Sequence, residues 1–262
     1  MTEMLRSTAL AGTSLSRIVA LFCGPKGGIG KSFACGIMAS AFSAAGQRVI
    51  LVDGDGTNST TYSTHDNVQY LHTSAVEARG AVRTLIRKVG AGADSVLFDF
   101  GARDDDIVTK HTPWLVAECK AVSACLVIVV PITDEPTTHM TAVKYAGVAL
   151  PAGAGLLFLK NLGCSKGALA RWERSPSRRE AIDRGAVECE LGNLGSAADR
   201  ARGFRLSVAD VALGRFERAG ERAQQAAQEF DEDTQAWCGI WLDEQCSTLI
   251  SAVQAAVNRQ SR

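Results

Sequence analysis

Phosphate chemistry is indicated most clearly by a short glycine-rich segment that carries two lysines. The segment reads Pro25-Lys26-Gly27-Gly28-Ile29-Gly30-Lys31-Ser32. Its glycines accept positive φ, so that successive backbone N–H groups can surround a phosphate, and the N-terminus of a following helix adds a favourable dipole. Lys31 places a cation on the β- and γ-phosphates, and the Ser32 hydroxyl can ligate Mg²⁺. The segment matches the GxxxxGK[ST] pattern except at its first glycine, where Pro25 stands, and it predicts a phosphate-binding loop.

Carboxylates follow two other apolar runs of the chain. Asp53-Gly54-Asp55 comes at the end of the run RVILV, and Asp99-Phe100-Gly101 ends the run SVLF. Aspartates at such positions either cap a turn or take part in the chemistry of a bound phosphate and its metal. The residues alone leave both interpretations open for Asp53 and Asp55.

The glycine-rich segment lies between a predicted strand and a predicted helix. The predicted strands are residues 17–23, 48–53, 95–99, 124–131, 154–160 and 187–191, and the predicted helices are residues 31–45, 76–89 and 105–120, with a further helix opened by Pro136. Apolar strands that alternate with helices indicate parallel strands buried on both faces. We therefore predict an α/β fold, a doubly wound, mostly parallel sheet flanked by helices, with a helical C-terminal part.

Composition excludes several classes of protein. The 28 basic and 28 acidic residues give a formal net charge of zero, which argues against a polybasic nucleic-acid binder. No apolar run approaches the roughly 20 residues of a membrane-spanning helix, and the N-terminus has no apolar core typical of a secretory signal. The eight cysteines form no CxxC pair, so that zinc-binding spacing is absent from the sequence. We expect residues 1–16 to be a flexible leader and residues 17–262 to be a single domain, with its motifs in 17–161 and an accessory region in 162–262.

The form KGGxGK[ST] resembles the deviant Walker A motif of the ParA/MinD-type ATPases, which belong to the SIMIBI class of P-loop NTPases. This resemblance implies ATP and Mg²⁺ as ligands and a nucleotide-sandwich homodimer that forms on ATP binding. In such a dimer Lys26, the signature lysine, reaches the phosphates bound by the other subunit, whereas Lys31 contacts those of its own. The family tolerates other residues at the position of Pro25.

The same resemblance assigns roles to the aspartates and to more distant residues. It implies that Asp55 positions or activates the attacking water, and that Asp99 ends a Walker B strand. The N–H of Gly101 would sense the γ-phosphate, and Asn161 would read the adenine edge. The predicted catalytic residues are thus Lys26, Lys31 and Asp55; the predicted nucleotide contacts are Pro25, Gly27, Gly28, Ile29, Gly30, Lys31, Ser32, Phe33, Gly101 and Asn161; and the predicted metal ligands are Ser32, Asp53 and Asp99.

The resemblance also implies what the ATPase is for. It indicates a switch in the cytoplasm of a bacterium that positions or stabilises DNA, in plasmid partition, plasmid stability or conjugative transfer, or that positions a protein cargo. The C-terminal part is similar to the StbB/TraL-type accessory ATPases of plasmids. Six basic residues between Lys166 and Arg184 are candidates for contacts with DNA or with an acidic protein adaptor.

Two alternatives remain open from the sequence. A small-molecule enzyme of the same fold, similar to dethiobiotin synthetase, would use the same phosphate site for a different reaction. A membrane-positioning ATPase similar to MinD would end in a basic amphipathic helix. Residues 247–262 place Leu249, Ile250, Val253 and Val257 on one side, but the polar side is mostly Ser, Gln and Ala, which argues against membrane contact.

Overall fold

The fold is built on parallel strands, as the sequence pattern predicts. The computed structural model describes residues 15–54, 60–65, 68–71, 79–101, 105–165 and 169–260. Its strands are β1 (Arg17–Phe22), β2 (Val49–Asp53), β3 (Gln69–Tyr70), β4 (Ser95–Asp99), β5 (Ala124–Ile132), β6 (Gly155–Asn161) and β7 (Val187–Leu191). Within these ranges the seven strands form one sheet in the order β3-β2-β4-β1-β5-β6-β7, and each neighbouring pair is parallel.

The register of the central strands brings the predicted aspartates together. Asp99 at the end of β4 lies opposite Asp53 at the end of β2 and opposite Phe22 at the end of β1. The carboxyl ends of parallel strands share one edge of the sheet, which is where open α/β folds bind their ligands. The glycine-rich segment after β1 is therefore placed next to both carboxylates.

Helices cover both faces of the sheet. They are α1 (Lys31–Ala44), α2 (Thr60–Thr64), α3 (Arg79–Ile86), α4 (Asp105–Ala121), α5 (Pro136–Ala152), α6 (Ala170–Glu173), α7 (Pro176–Asp183), α8 (Ser196–Gly203), α9 (Val208–Ala212), α10 (Ala223–Glu229) and α11 (Glu232–Gln260), with a 3₁₀ helix at Glu217–Arg222. One hydrophobic core lies between the sheet and the helices α1, α8, α9 and α11, and a second lies between the opposite face and α3, α4, α5 and α7. Burial on both faces explains why the strands are apolar along their whole length.

The structure confirms the predicted strands and the helical C-terminal part, and it differs in two places. The helix predicted over 76–89 ends at Ile86, because the chain turns back at Gly90, whose φ is +80° and whose N–H bonds the carbonyl of Ala93. Strand β3 was not predicted, because two residues are too few to show an alternating pattern. The leader predicted over 1–16 lies outside the described residues except for its last two positions.

Two further expectations from composition can be compared with the structure. Among the helices of the described residues, none is both long and apolar enough to cross a membrane. All eight cysteines fall in the described ranges, and each is a free thiol.

Candidate functional site

The glycine-rich segment forms a loop between β1 and α1 that depends on two left-handed glycines. Gly28 has φ +78° and Gly30 has φ +88°, values that side-chain-bearing residues rarely adopt. A Cβ at Gly30 would also lie 2.0 Å from the Nδ2 atom of Asn161. Both the positive φ and this close contact therefore exclude a side chain at position 30. The loop leads directly into the N-terminus of α1, which points its free N–H groups at the carboxyl edge of the sheet.

Asn161 ends β6, two strands away from β1 in the sheet, and it braces this loop. Its Nδ2 donates to the carbonyl of Ile29 at 3.0 Å, and its Oδ1 accepts from the N–H of Gly163 at 3.1 Å. The side chain is buried, so these bonds fix both the loop and the segment after β6. The adenine contact predicted for Asn161 stays a prediction; the structure adds a bracing role that spacing along the chain could not reveal.

The two lysines of the loop point in different directions. Lys31 is buried, with 6% of its surface exposed, and its Nζ turns under the loop to donate to the carbonyl of Lys26 at 2.9 Å. Lys26 points outward, and its ammonium forms an ion pair with Glu135, the residue before the first turn of α5. These two side chains are 43% and 46% exposed. One lysine therefore faces the inside of the site and the other faces its rim.

A buried carboxylate lies beside the N-terminus of α1. Asp99 accepts a hydrogen bond from the Thr61 hydroxyl at 2.7 Å through Oδ2, and the Ser32 hydroxyl also bonds this carboxylate. Burial raises the pKa of Asp99 to about 6; the hydroxyls of Ser32 and Thr61 oppose this rise, neighbouring Asp53 adds to it, and Lys31 lowers it. Thr61 is a contact that the sequence analysis missed, and the only signal for it was a hydroxyl-rich stretch after Asp55.

These residues fit a magnesium ion that is shared with a nucleotide. The Oδ1 atom of Asp99 is buried and has no hydrogen-bond partner among the described residues. Burying a carboxylate oxygen without a partner costs free energy, unless a cation or a hydrogen-bond donor binds to it. The hydroxyl of Ser32 lies on the same carboxylate, and Asp53 is buried next to it. Among the described residues no group of three or more His, Cys, Asp or Glu forms a ready-made metal cage. Mg²⁺ binds through one or two carboxylates together with substrate phosphates and water, and Asp99 with the Ser32 hydroxyl supplies a partial set of such ligands.

The pKa of Asp99 predicts how the metal-free protein responds to pH. Folding raises the pKa of the Asp99 carboxyl to about 6, so the folded protein holds this proton more tightly than the unfolded chain does. The resulting stabilisation is complete at pH values below the pKa that Asp99 has in the unfolded chain, and it is lost as the pH rises through about 6. Asp99→Asn removes the buried charge and keeps the shape. In EDTA at pH 8 the variant is therefore expected to exceed the wild type in free energy of unfolding by up to about 3 kcal/mol. The difference should close as the pH falls below 5. Urea titrations across this range test it, and a variant that is no more stable than the wild type at pH 8 would contradict the assignment.

A cavity of 190 Å³ opens beside the loop, on the side of α1 that faces the C-terminal part. The residues that line it include Phe33, Asn161, Leu194, Arg202, Leu206 and Val208. Its floor is thus the predicted loop and the start of α1, while its walls come from the segment after β7, from α8 and from the start of α9. The site residues predicted from the sequence all precede residue 162, so none of the wall residues from beyond β7 was among them.

Four further residues of the predicted site are placed by the structure to different degrees. Asp55 lies outside the described residues, so its predicted role as the water-positioning carboxylate stays a prediction. Gly101 is buried directly after β4, at the same edge of the sheet as Asp99. Pro25 and Gly27 lie in the loop, half-buried and exposed respectively.

The family described as "CobQ/CobB/MinD/ParA nucleotide binding domain" matches residues 20–233. Among solved structures, the chain is similar to cobyrinic acid a,c-diamide synthase from Mycobacterium smegmatis with bound ATP analog and magnesium. The two are 15% identical, the match covers 73% of this chain and 93% of that chain, and the TM-score is 0.39. A search of curated proteins found no match.

Proposed function

Because this chain belongs to the CobQ/CobB/MinD/ParA nucleotide-binding domain family, we propose that it is an ATPase that dimerises on binding ATP and Mg²⁺ and dissociates after hydrolysis. The observation that carries the proposal is the opposed placement of two lysines in one loop. Lys31 is buried under the loop, where it serves the subunit's own phosphates, and Lys26 stands half-exposed at the rim. A cation at the rim is available to the nucleotide of a second subunit.

The remaining residues of the site have roles consistent with this cycle. Backbone N–H groups of the loop and the start of α1 hold the phosphates, and Asn161 keeps the loop in shape through its bond to Ile29. Ser32 and Asp99 hold Mg²⁺, which neutralises charge on the β- and γ-phosphates when bound. Asp55 positions the attacking water. The cavity beside Phe33 receives the base and ribose.

Light scattering with and without a slowly hydrolysed ATP analogue tests the proposal. We expect the mass to double when the analogue and Mg²⁺ are added, because each subunit then completes the other's phosphate site. Asp55→Ala should give the same dimer with ATP itself and hydrolyse it far more slowly than the wild type. A protein that binds ATP, stays monomeric and turns it over only with an added small substrate would instead be a metabolic enzyme of the same fold.

DNA is the cargo that we propose for the switch, in bacterial plasmid partition, stability or conjugative transfer. Three exposed arginines of α6, α7 and the turn between them support this: Arg171, Arg174 and Arg179. In the described residues none of the three has an ion-pair partner. Arg178 does not belong to this arginine surface, because Glu188 holds its guanidinium through two hydrogen bonds of 2.9 and 2.7 Å.

Replacing the three residues of the arginine surface with alanine should weaken DNA binding and reduce its dependence on salt. Each phosphate contact that is lost lowers the slope of log K against log salt by about 0.9. A mobility-shift series across salt measures both effects. The control is alanine at Arg79 and Arg83 of α3 and at Arg87 just after it, which are also exposed; unlike the arginine surface, Arg83 and Arg87 pair with Glu118. If that control weakens binding and the arginine surface does not, DNA contacts the opposite edge of the molecule.

A further inference from the structure

Helix α11 exposes two large apolar side chains on the surface that faces away from the core. Trp237 is 46% and Ile240 is 63% exposed, although they stand three residues apart on one side of the helix. The same turns bury Trp241 next to this pair, and Cys238 and Leu242 on the other side of the helix, against α1 and α9. The exposed pair is thus not needed to attach the helix to the protein.

Acidic residues bracket this apolar pair along the helix. Asp233 lies one turn before Trp237, and Glu244 lies one turn after Ile240, so that all four share one stripe. Helix α11 has no lysine or arginine before Arg259. Within the described residues, neither Asp233 nor Glu244 has an ion-pair partner. Asp233 lies in the first turn, where its negative charge also interacts favourably with the helix dipole. Glu244 lies in the middle of the helix, where the dipole does not stabilise a carboxylate.

The neighbouring chain makes the surface more acidic rather than neutralising it. Residues 217–244 contain eight acidic residues and two arginines. Both arginines are held by other groups: Arg218 lies 3.9 Å from Asp210, and Arg222 donates to the carbonyl of Gly203 at 3.1 Å. Arg200 of α8 pairs with Glu229 at 2.8 Å, and the remaining excess of carboxylates leaves the segment that carries the apolar pair with a net negative charge.

We infer that the stripe Asp233–Trp237–Ile240–Glu244, here called the α11 stripe, is a docking site for a cationic amphipathic helix of a partner protein. Such a helix has apolar side chains at i and i+3 or i+4 that can cover Trp237 and Ile240. Its lysines and arginines, one turn away on each side, meet the two carboxylates. Tryptophan is among the residue types most enriched at the hot spots that carry most of the binding energy in protein interfaces.

Charge excludes other occupants of the α11 stripe. DNA and anionic lipid are repelled by the carboxylates at both ends. A second copy of the chain that docked the same stripe across a two-fold axis would place Asp233 and Glu244 against like charges. A basic segment of another protein is the occupant that can form an ion pair with both Asp233 and Glu244.

A partner on the α11 stripe would lie within one helical turn of Trp241 and Gln245, which contact residues that line the cavity beside Phe33. The ring of Trp241 lies 5.9 Å from that of Phe33, and Gln245 accepts a hydrogen bond from the N–H of Gly192 at 2.9 Å. Phe33 and Gly192 both line the cavity. The inference goes beyond the proposed function, and docking itself requires no nucleotide.

Fluorescence anisotropy with a labelled synthetic peptide tests the α11 stripe on the full chain without nucleotide. The peptide has about 18 residues, only lysine and leucine, with the leucines on one helical face. We expect Trp237→Ser/Ile240→Ser to weaken its binding by at least about tenfold, which corresponds to about 1.4 kcal/mol, because the pair forms the apolar centre of the site. Met140→Ser/Val143→Ser removes an apolar pair of α5 that is 71% and 40% exposed, and should leave the affinity unchanged within about twofold. Asp233→Asn/Glu244→Gln, which alters no apolar contact, should weaken binding and reduce its salt dependence.

Three results would overturn the inference. The first is equal affinity of the wild type and Trp237→Ser/Ile240→Ser for the peptide, or a loss of affinity in Met140→Ser/Val143→Ser as large as that in Trp237→Ser/Ile240→Ser. The second is equal binding of a glutamate–leucine peptide of the same pattern. The third is flotation of the protein with vesicles rich in anionic lipid that depends on Trp237 and Ile240, which would make the stripe a membrane contact. If Trp237→Ser/Ile240→Ser does not fold, Asp233→Asn/Glu244→Gln still tests the inference. Unchanged affinity of that variant for the peptide would also refute the docking site.

Discussion

Lys31→Ala is expected to abolish ATP binding at micromolar nucleotide. Lys31 is buried beneath the loop, and in the absence of a phosphate its ammonium is held by the carbonyl of Lys26. A phosphate that enters the loop meets a desolvated cation already in place. Removing one partner of a buried, hydrogen-bonded charge pair costs about 2–5 kcal/mol, so calorimetry should show an affinity loss of about 30-fold or more.

Two control variants separate charge from shape. Lys31→Met keeps most of the aliphatic stem and loses the cation, so it should lose as much affinity as the alanine variant. Lys144→Ala removes an exposed lysine of α5 and should bind ATP as the wild type does. Wild-type affinity in Lys31→Met would show that the loop does not hold the phosphates through this residue.

The sequence was sufficient to predict the fold and the loop because both depend on local patterns. Apolar runs bounded by glycine and aspartate identify buried parallel strands, and the spacing between two lysines and a serine identifies a loop that surrounds phosphate. The strand that ends at Asp99 and the helix that begins at Pro136 were predicted with the correct starts. In each case the chemistry of neighbouring residues determines the local structure.

The contacts that complete the site join residues far apart in the chain, and no spacing reveals them. Asn161 braces Ile29 across 132 positions, and Glu135 pairs with Lys26 across 109. The cavity walls come from a region whose sequence shows only short helices and mixed charge. Arg178 shows the converse, since this basic residue in a basic segment is held in a partly buried ion pair with Glu188. Such pairings follow from the packing of the sheet edge, which depends on the whole chain.

Lys26→Ala is expected to keep ATP binding to the monomer and to lose ATP-induced dimerisation and hydrolysis together. Lys26 is not the cation beneath the loop, so its loss should change the monomer's affinity by no more than about threefold; a half-exposed ion pair such as its contact with Glu135 contributes only about 0–1 kcal/mol. That weakness also lets the ammonium leave Glu135 when a more highly charged phosphate becomes available. In a two-fold dimer each Lys26 would meet the nucleotide of the other subunit, and this contact links ATP to association.

The Glu135→Ala variant shows whether a defect in Lys26→Ala reflects the lysine or the ion pair. Both substitutions break the same contact, but only Glu135→Ala leaves the ammonium free to reach a second subunit. We therefore expect Glu135→Ala to dimerise on an ATP analogue in light scattering, whereas Lys26→Ala stays monomeric at the same concentration and shows no ATP turnover above background. If both variants fail alike, the ion pair merely holds the loop against α5. If Lys26→Ala dimerises and hydrolyses ATP normally, the rim lysine has no part in a second subunit's site and the proposed switch loses its basis.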